Sequence, residues 1–560
     1  MALMLNSIIG VGIFGLPAVL AERLGSLSPV SCLGAGAGIL IIAACIAEVS
    51  SRYEETGGLY LYARDALGGF AGLLVAWLTW LTRIAAPAAA ANLFCTYAAQ
   101  FIPALGTRKG ELVTLALLIG QLALLNYIGV KTGKNVSNFF TSVKVSFLLF
   151  FVLAGLLVWS LKPEIRVPFS VPAISIKNWF EAILLLVYGY GGFEGALFVG
   201  GETKDPKRDT PLALLTALAI VCLIYTGVQF VTVATLPDAA SSARPVADAA
   251  QRFLGSGGAT AIALAALISA YGYLSANLLH APRVTFALAE QGDFPPFFAA
   301  VHAKFRTPYL SIFIYALLLF GFAALGNFRW NATLSAVSRL AVYGAMAVAV
   351  PVLRARKDDK AKFLIPAPYF FAGFTLLSSL VLLTQMGRGE FYVVGTTCGI
   401  ALLNWILARR EQMTKTRVGD PFLSAHEYGR SLPKFTVNLL VRNVETSLRF
   451  YRDVLGATAR YSDNDFAALS LLGVDFMLHA DHSYDHHALY PLLIAAPVRG
   501  AGAELRFLGV DPDKVEECAK RLGTPIVQPA TDFRHGWREV TLLDPDGYIW
   551  TVGLPIPALE

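Results

Sequence analysis

The chain has 560 residues, of which 56% are hydrophobic and 15% charged, against about 25% charged in an average soluble protein. Apolar surface on that scale exceeds what one soluble core encloses and calls for lipid. A formal net charge of +6 fits lysines and arginines in the loops of a membrane protein better than a nucleic-acid face, so no nucleic-acid partner is expected.

Apolar runs of spanning length, roughly 20 residues each, recur from the start of the chain to about Arg409. They fall near 3–20, 29–49, 70–100, 111–128, 137–160, 179–201, 211–236, 257–288, 309–326, 331–353, 367–386 and 390–408. The first run has no basic segment before it, so no cleavable signal peptide is expected. It reads Asn6-Ser-Ile-Ile-Gly-Val-Gly-Ile-Phe-Gly-Leu-Pro17, and its glycines at 10, 12 and 15 suit an uninterrupted helix poorly. Two readings stay open on glycine content alone. One is a broken helix lining a polar cavity, its freed N–H groups facing a carboxylate. The other is a small-residue face for close helix packing.

Arg83 lies mid-run in the third segment. It either attracts anionic groups into a cavity or pairs with Glu194 or Glu48. Lys144 lies in the fifth run, where a lysine is costly and marks function by default. Its alternative is to snorkel to the headgroups from the cytoplasmic end. The sixth run repeats the break as Tyr188-Gly-Tyr-Gly-Gly-Phe-Glu194-Gly, with a glutamate at mid-membrane depth. Two interrupted helices five spans apart are the mark of inverted-repeat transporters with a central site. His280, alone in the eighth run, reads as a packed core histidine.

An inside N-terminus places the denser clusters of basic residues, such as Lys204, Lys207 and Arg208, and Arg354, Arg356, Lys357, Lys360 and Lys362, in the cytoplasm. An even number of spans then puts the C-terminus there too. The cysteines are scattered without C-x-x-C spacing, which suggests neither a zinc site nor a disulfide framework.

After Arg409 the composition turns polar over 411–432, a linker. A strand–helix–strands order then appears twice, as FTVNLLV, VETSLRFYRDVLG, FAALSL, VDFMLHA and as AELRFLGV, DKVEECAKRLG, WREVTLLD, YIWTVG. The fold class is therefore an all-α polytopic membrane protein of about twelve transmembrane helices over 1–410, plus a small α+β domain over 433–560.

Residues 1–410 resemble an amino acid permease of the amino acid–polyamine–organocation superfamily. The resemblance is carried by I-I-G-V-G-I-F-x-x-P at 8–17, by Glu48, Tyr53, Gly57, Gly58, Tyr60 and Tyr62, by G-F-E and E-T-K-D-P-K-R-D-T-P within 192–211, and by Asn277 with Arg283, Ala289 and Gly292. It implies two inverted five-helix repeats plus two further helices, in the cell membrane. It implies that the amides of Ile9, Gly10, Val11 and Gly12 bind a substrate carboxylate, and that carbonyls around Tyr188, Gly189 and Gly191 receive an ammonium group. Tyr188 falls at the family's aromatic gate, Glu194 joins it in gating, and Lys144 falls where a lysine reaches the first-span break and links transport to protons. The family has a longer cytoplasmic half-helix than the nine residues that precede Gly10 here. The implied function is secondary transport of amino acids, proton-coupled or by exchange, with no cofactor, the bilayer, a small-molecule substrate and protons being the partners.

The C-terminal unit resembles the vicinal oxygen chelate superfamily of glyoxalase and bleomycin-resistance proteins, through residues 441–456, Gly536-Trp-Arg-Glu539 and Asp544-Pro-Asp-Gly-Tyr548. The resemblance implies paired βαβββ modules. Its metal positions hold Thr436, Glu504 and Thr551, with His479 near the fourth. Only His479 and Glu504 are metal-capable, too few for a catalytic site, so no glyoxalase chemistry is carried over. Asp481, His482, Asp485, His486 and His487 have a spacing that could bind metal, with a solvated loop as the preferred reading. A membrane-anchored enzyme and a non-transporting receptor remain the alternatives to a transporter with a ligand-binding or regulatory tail.

Overall fold

The computed structural model describes residues 5, 7–53, 58–129, 134–169, 174–194, 206–290, 293–302, 304–356, 361, 363–416, 437–485, 499–500, 503–533 and 536–556. The chain divides into two compact units, Met1–Arg410 and Glu411–Glu560.

The first unit is helical. Its helices are α1 (Gly12–Leu24), α2 (Ser28–Ser50), α3 (Gly58–Leu67), α4 (Gly69–Ala98), α5 (Arg108–Ile128), α6 (Lys134–Leu161) and α7 (Ile176–Tyr190), followed by α8 (Pro206–Thr235), α9 (Pro245–Glu290), α10 (Tyr309–Leu325), α11 (Phe328–Arg354), α12 (Pro368–Leu383) and α13 (Arg388–Thr416). Within the described residues, each apolar run read from the sequence overlaps one of them. Among the described residues, eight helical segments are long and apolar enough to cross a bilayer, α1 and α2 counting as one, and α10 and α12 are shorter apolar helices. Local chemistry sets several boundaries. Thr107 caps α5 by accepting from the Gly110 amide at 3.1 Å, and Asn327 caps α11 by accepting from Trp330 at 2.9 Å. Gly58 opens α3. The helix's ten residues are too few to span lipid.

Within the bundle, α4 packs against α11, α2 against α8 and α1 against α7. Two polar clusters cross it. Asn331 donates to the Asn92 side chain and to the Phe322 carbonyl, both at 3.0 Å, and Asn92 donates to the Ala323 carbonyl at 2.8 Å. These bonds join α4, α10 and α11. Glu48, fully buried at the end of α2, accepts two bonds from Arg354 at 2.7 Å, one from Arg52 at 3.1 Å and one from the Ile365 amide at 3.0 Å. A buried carboxylate survives desolvation only when so fully partnered.

The second unit holds two four-stranded sheets. The first comprises β1 (Val437–Val441), β2 (Thr458–Ser462), β3 (Phe466–Leu471) and β4 (Val474–Ala480), in the order β1-β4-β3-β2. The second comprises β5 (Glu504–Leu508), β6 (Ile526–Asp532), β7 (Trp537–Leu543) and β8 (Ile549–Pro555), in the order β5-β8-β7-β6. In each, the first strand pairs parallel with the last and the other pairings are antiparallel. Helix α14 (Val444–Arg449) follows β1 and α15 (Pro512–Leu522) follows β5, so the duplication read in the sequence is two βαβββ modules. The linker expected over 411–432 lies outside the described residues beyond Thr416, as does Thr436.

The Asp544-Pro-Asp-Gly-Tyr548 turn fastens the modules together. Asp546 accepts from the Arg442 amide at 2.9 Å and the Ser447 hydroxyl at 2.7 Å, both in the first module. Asp544 accepts from the buried Tyr451 hydroxyl. Arg499 donates to the Leu440 carbonyl at 2.7 Å and pairs with Asp481. Removing the carboxylate in Asp546→Ala leaves buried donors unmatched. The expected cost is about 3 kcal/mol, read as faster amide exchange across β1 and α14 in the full-length protein, with exchange in the membrane helices unchanged.

Candidate functional site

Two helix breaks face each other. Before α1 the chain is helical at Ser7 and Ile8, opens at Ile9 and Gly10, and resumes at Gly12. The Ile9 amide still bonds to the Leu5 carbonyl at 2.8 Å and the Gly10 amide to the Ile8 carbonyl at 2.8 Å. The amides that begin α1, at Gly12 and Ile13, precede its first hydrogen-bonded turn. The second break follows α7. The Gly191 amide donates to the Tyr188 carbonyl at 3.2 Å, and Gly192 takes φ +108°, a conformation that suits glycine alone.

Glycine is required at these breaks because they touch. A Cβ on Gly192 would stand 2.2 Å from the Ser7 carbonyl oxygen, and one on Gly12 would stand 2.8 Å from the Tyr188 ring. One on Gly189 would meet Leu16 at 2.6 Å. Gly10 differs, since a Cβ there would come no closer than 3.9 Å to the Tyr273 ring and 4.0 Å to the Ile8 carbonyl oxygen.

Charged and phenolic side chains service the freed backbone. Lys144, 2% exposed, donates from Nζ to the Ile9 carbonyl at 3.2 Å. It is a buried partner of the first break and does not snorkel. Tyr225 donates to the Ile8 carbonyl at 3.3 Å. Glu194 accepts from the Gly192 amide at 2.7 Å and from the Tyr343 hydroxyl, and its Oε1 lies 3.1 Å from Arg339 Nε. Arg339 also donates to the Tyr188 carbonyl at 3.3 Å. Tyr188 is buried, its ring edge-on to Phe328 with centroids 6.0 Å apart.

The sequence reading thus places Ile9, Gly10, Val11, Gly12, Tyr188, Gly189, Gly191, Glu194 and Lys144 in one region, and the structure brings them together. It did not single out Arg339 and Tyr343. Both sit four residues apart on one face of α11 and both hold Glu194. The rule that flagged Lys144 also flags a mid-run arginine in SAVSRLAVYG. Of the two carboxylates considered for Arg83, Glu194 also holds Arg339, and Glu48 holds Arg52 and Arg354. The Arg83 carbonyl accepts from the Tyr315 hydroxyl at 2.6 Å. Asn277 donates to the Tyr273 carbonyl one turn back, at 2.9 Å. His280 is exposed on α9 rather than packed, because a lone residue in an apolar run does not reveal which helix face is inward.

A family model described as amino acid permease matches residues 1–396. The chain belongs to this amino acid permease family. Over 415 residues it is 27% identical to the methylthioribose transporter of Bacillus subtilis (strain 168), an alignment covering 70% of this chain and 89% of that protein. It is 28% identical over 438 residues to the serine/threonine exchanger SteT of the same organism, covering 72% of this chain and 92% of that one. To the branched-chain amino acid permease BcaP, also from that strain, it is 24% identical over 402 residues, covering 68% and 86%. A second family model, the Glyoxalase/Bleomycin resistance protein/Dioxygenase superfamily, matches residues 435–552 behind the permease unit.

The metal that this superfamily implies does not fit the residues present. Glu504 accepts from Thr551 at 2.5 Å and lies 3.7 Å from Arg506. His479 Nδ1 is 2.7 Å from Asn438 Oδ1, and its ring lies against Phe466 with centroids 4.7 Å apart. Among the described residues no group of three or more His, Cys, Asp or Glu side chains could hold a metal ion. His486 and His487 lie outside those residues.

Burial holds the half-buried His479 below its ordinary pKa of 6.5, against a smaller upward pull from Asp463. The folded unit therefore prefers neutral His479. Its stability falls as pH drops below about 6.5, because the unfolded chain binds the proton first. Pulse proteolysis of the C-terminal unit in full-length protein reads this slope, and His479→Phe is expected to flatten it. At the helix breaks, Gly192→Ala is expected to cost at least about 2 kcal/mol, seen as a lowered melting temperature in detergent.

Proposed function

We propose that the chain is a secondary active transporter of amino acids, working by proton coupling or exchange. The observation that carries this reading is Lys144 Nζ at 3.2 Å from the Ile9 carbonyl, on the opened first span. The amine there ties the fifth span to the first break, beside the Gly12 and Ile13 amides that begin α1 and would receive a carboxylate. A proton gained or lost on that amine changes how firmly the first break is held. Tyr188, packed on Gly12 and Phe328, closes over the same place as a gate, with Glu194 fastening the backbone beneath it.

The relatives support the substrate class. Their names include a serine/threonine exchanger and a branched-chain amino acid permease. The bias of lysines and arginines supports a multi-pass protein with both termini in the cytoplasm. The C-terminal unit is then a cytoplasmic ligand-binding or regulatory module, a role supported by its two-module fold and by donor residues unsuited to a metal.

Uptake of labelled serine and leucine into proteoliposomes tests the reading. An inward proton gradient or preloaded amino acid is expected to stimulate uptake. Lys144→Met is expected to lower it about tenfold, equal to ~1.4 kcal/mol at the barrier. Uptake indifferent to both the gradient and internal substrate would sink the coupling.

A further inference from the structure

We infer that Arg339 is a positioning residue for transport, the second half's counterpart of Lys144. Each half of the permease unit carries a buried cation on its fifth span, and that cation holds a backbone carbonyl at the break in its first span. The inference rests on the reading of the two breaks as the amino acid's site, and it adds a residue that acts on that site through the backbone.

Counted along the apolar runs, the breaks lie in the first and sixth, at Gly10 and Gly191, and the cations in the fifth and tenth. Both intervals are five spans, the length of the repeat that the family resemblance implies. Lys144 lies in the first half of run 137–160, and Arg339 lies in the first half of run 331–353. The contacts match as well. Lys144 Nζ donates to the Ile9 carbonyl at 3.2 Å, and Arg339 donates to the Tyr188 carbonyl at 3.3 Å. Lys144 is 2% exposed and Arg339 6%. A charged side chain at that depth is costly and marks function by default.

The two head groups differ in what they can do. An ammonium is a point charge that can lose its proton when buried, whereas a guanidinium keeps its proton and forks to two acceptors at once. Arg339 uses the fork. One arm reaches the Tyr188 carbonyl before the second break, and Nε lies 3.1 Å from Glu194 Oε1 beyond it. Glu194 in turn accepts from the Gly192 amide at 2.7 Å. Carbonyl, guanidinium, carboxylate and amide therefore close a loop around Gly191, where an added Cβ would collide with the guanidinium. The last carbonyls of α7 have no further turn to bond to. Fixing Tyr188 on one side of them and Gly192 on the other sets where they point. The ammonium group of any amino acid meets those carbonyls, so Arg339 bears on all substrates alike.

The titratable and charged groups around Arg339 come from four elements. Tyr188 lies on α7 and Glu194 just beyond it, Tyr343 shares α11, Tyr273 lies on α9 and Arg83 on α4. None of them can take the proton of a guanidinium in water. Proton sensitivity then belongs to the hold on the first break, and the hold on the second is fixed.

Initial rates of labelled serine and leucine uptake into proteoliposomes of the full-length protein test this, with and without an inward proton gradient. Arg339→Gln is expected to raise KM at least about tenfold for both substrates and by a similar factor, while the gradient still stimulates uptake. Arg339→Lys keeps the charge, so its KM is expected within about threefold of wild type near neutral pH. Its amine can lose the proton that a guanidinium keeps, so on going to about pH 9 its KM is expected to rise at least about threefold more than that of the wild type. A folded Gln variant with wild-type KM, or an effect on one substrate alone, would overturn the inference and leave amino acid transport standing. A Lys variant that misses these values would sink it too, and decides the matter where the Gln variant does not fold. Loss of folded protein in both variants would mark Arg339 as merely structural and end the inference. Uptake of neither serine nor leucine by the wild-type protein would instead remove the transport reading itself.

Discussion

In hydrocarbon, a peptide group without a hydrogen-bond partner is costly enough to forbid irregular backbone, unless something in the protein supplies the partner. Among the described residues the permease unit opens its backbone at Ile9–Gly10 and at Gly191–Gly192, and much of the packing around the two breaks serves to satisfy them. Lys144 and Tyr225 reach the carbonyls of Ile9 and Ile8. Arg339 reaches the carbonyl of Tyr188, and Glu194 takes the amide of Gly192. Each of these side chains comes from a helix far away in sequence or lies beside the break itself. The helices that carry them are thereby fixed in rotation as well as in position. Glu48 plays a comparable part where α2 ends, tying it to Arg354 of α11.

Much of this was legible in the chain. Hydropathy placed the helices because lipid imposes length and composition together. The glycine clusters marked the breaks, since consecutive glycines at membrane depth have few other uses. Lys144 stood out because a buried amine is expensive. Arg339 carried the same signal, yet its meaning depends on a carboxylate at position 194, and no local pattern links α11 to the end of α7. The outward facing of His280 was hidden for a related reason. The runs around it are apolar on every side, so periodicity gives no phase. The short helix α3 was lost among glycines because it is too brief to read as a span.

The C-terminal unit shows the opposite balance. Its duplicated order of strands and helix was readable, and the pairing of first strand with last follows in both sheets. What patterns could not supply is how the modules meet. The Asp544–Tyr548 turn of the second module bonds the first module's Arg442 amide, Ser447 and Tyr451. Of the residues at or near the metal positions the resemblance implies, Glu504 pairs with Thr551 and His479 with Asn438.

The close approach at Gly12, Gly189 and Gly192 has an evolutionary consequence. These glycines are held by the chain's own atoms: the Tyr188 ring, Leu16 and the Ser7 carbonyl. None of those neighbours is a substrate. Selection on cargo can therefore drift across the lineage while the same glycines stay frozen, because a methyl group at any of them obstructs the protein before it obstructs the ligand. Gly10, whose missing side chain would meet Tyr273 only at ordinary contact distance, lacks that protection. Inheritance at position 10 is free to follow what the transporter carries, while inheritance at the other three answers to the fold as well.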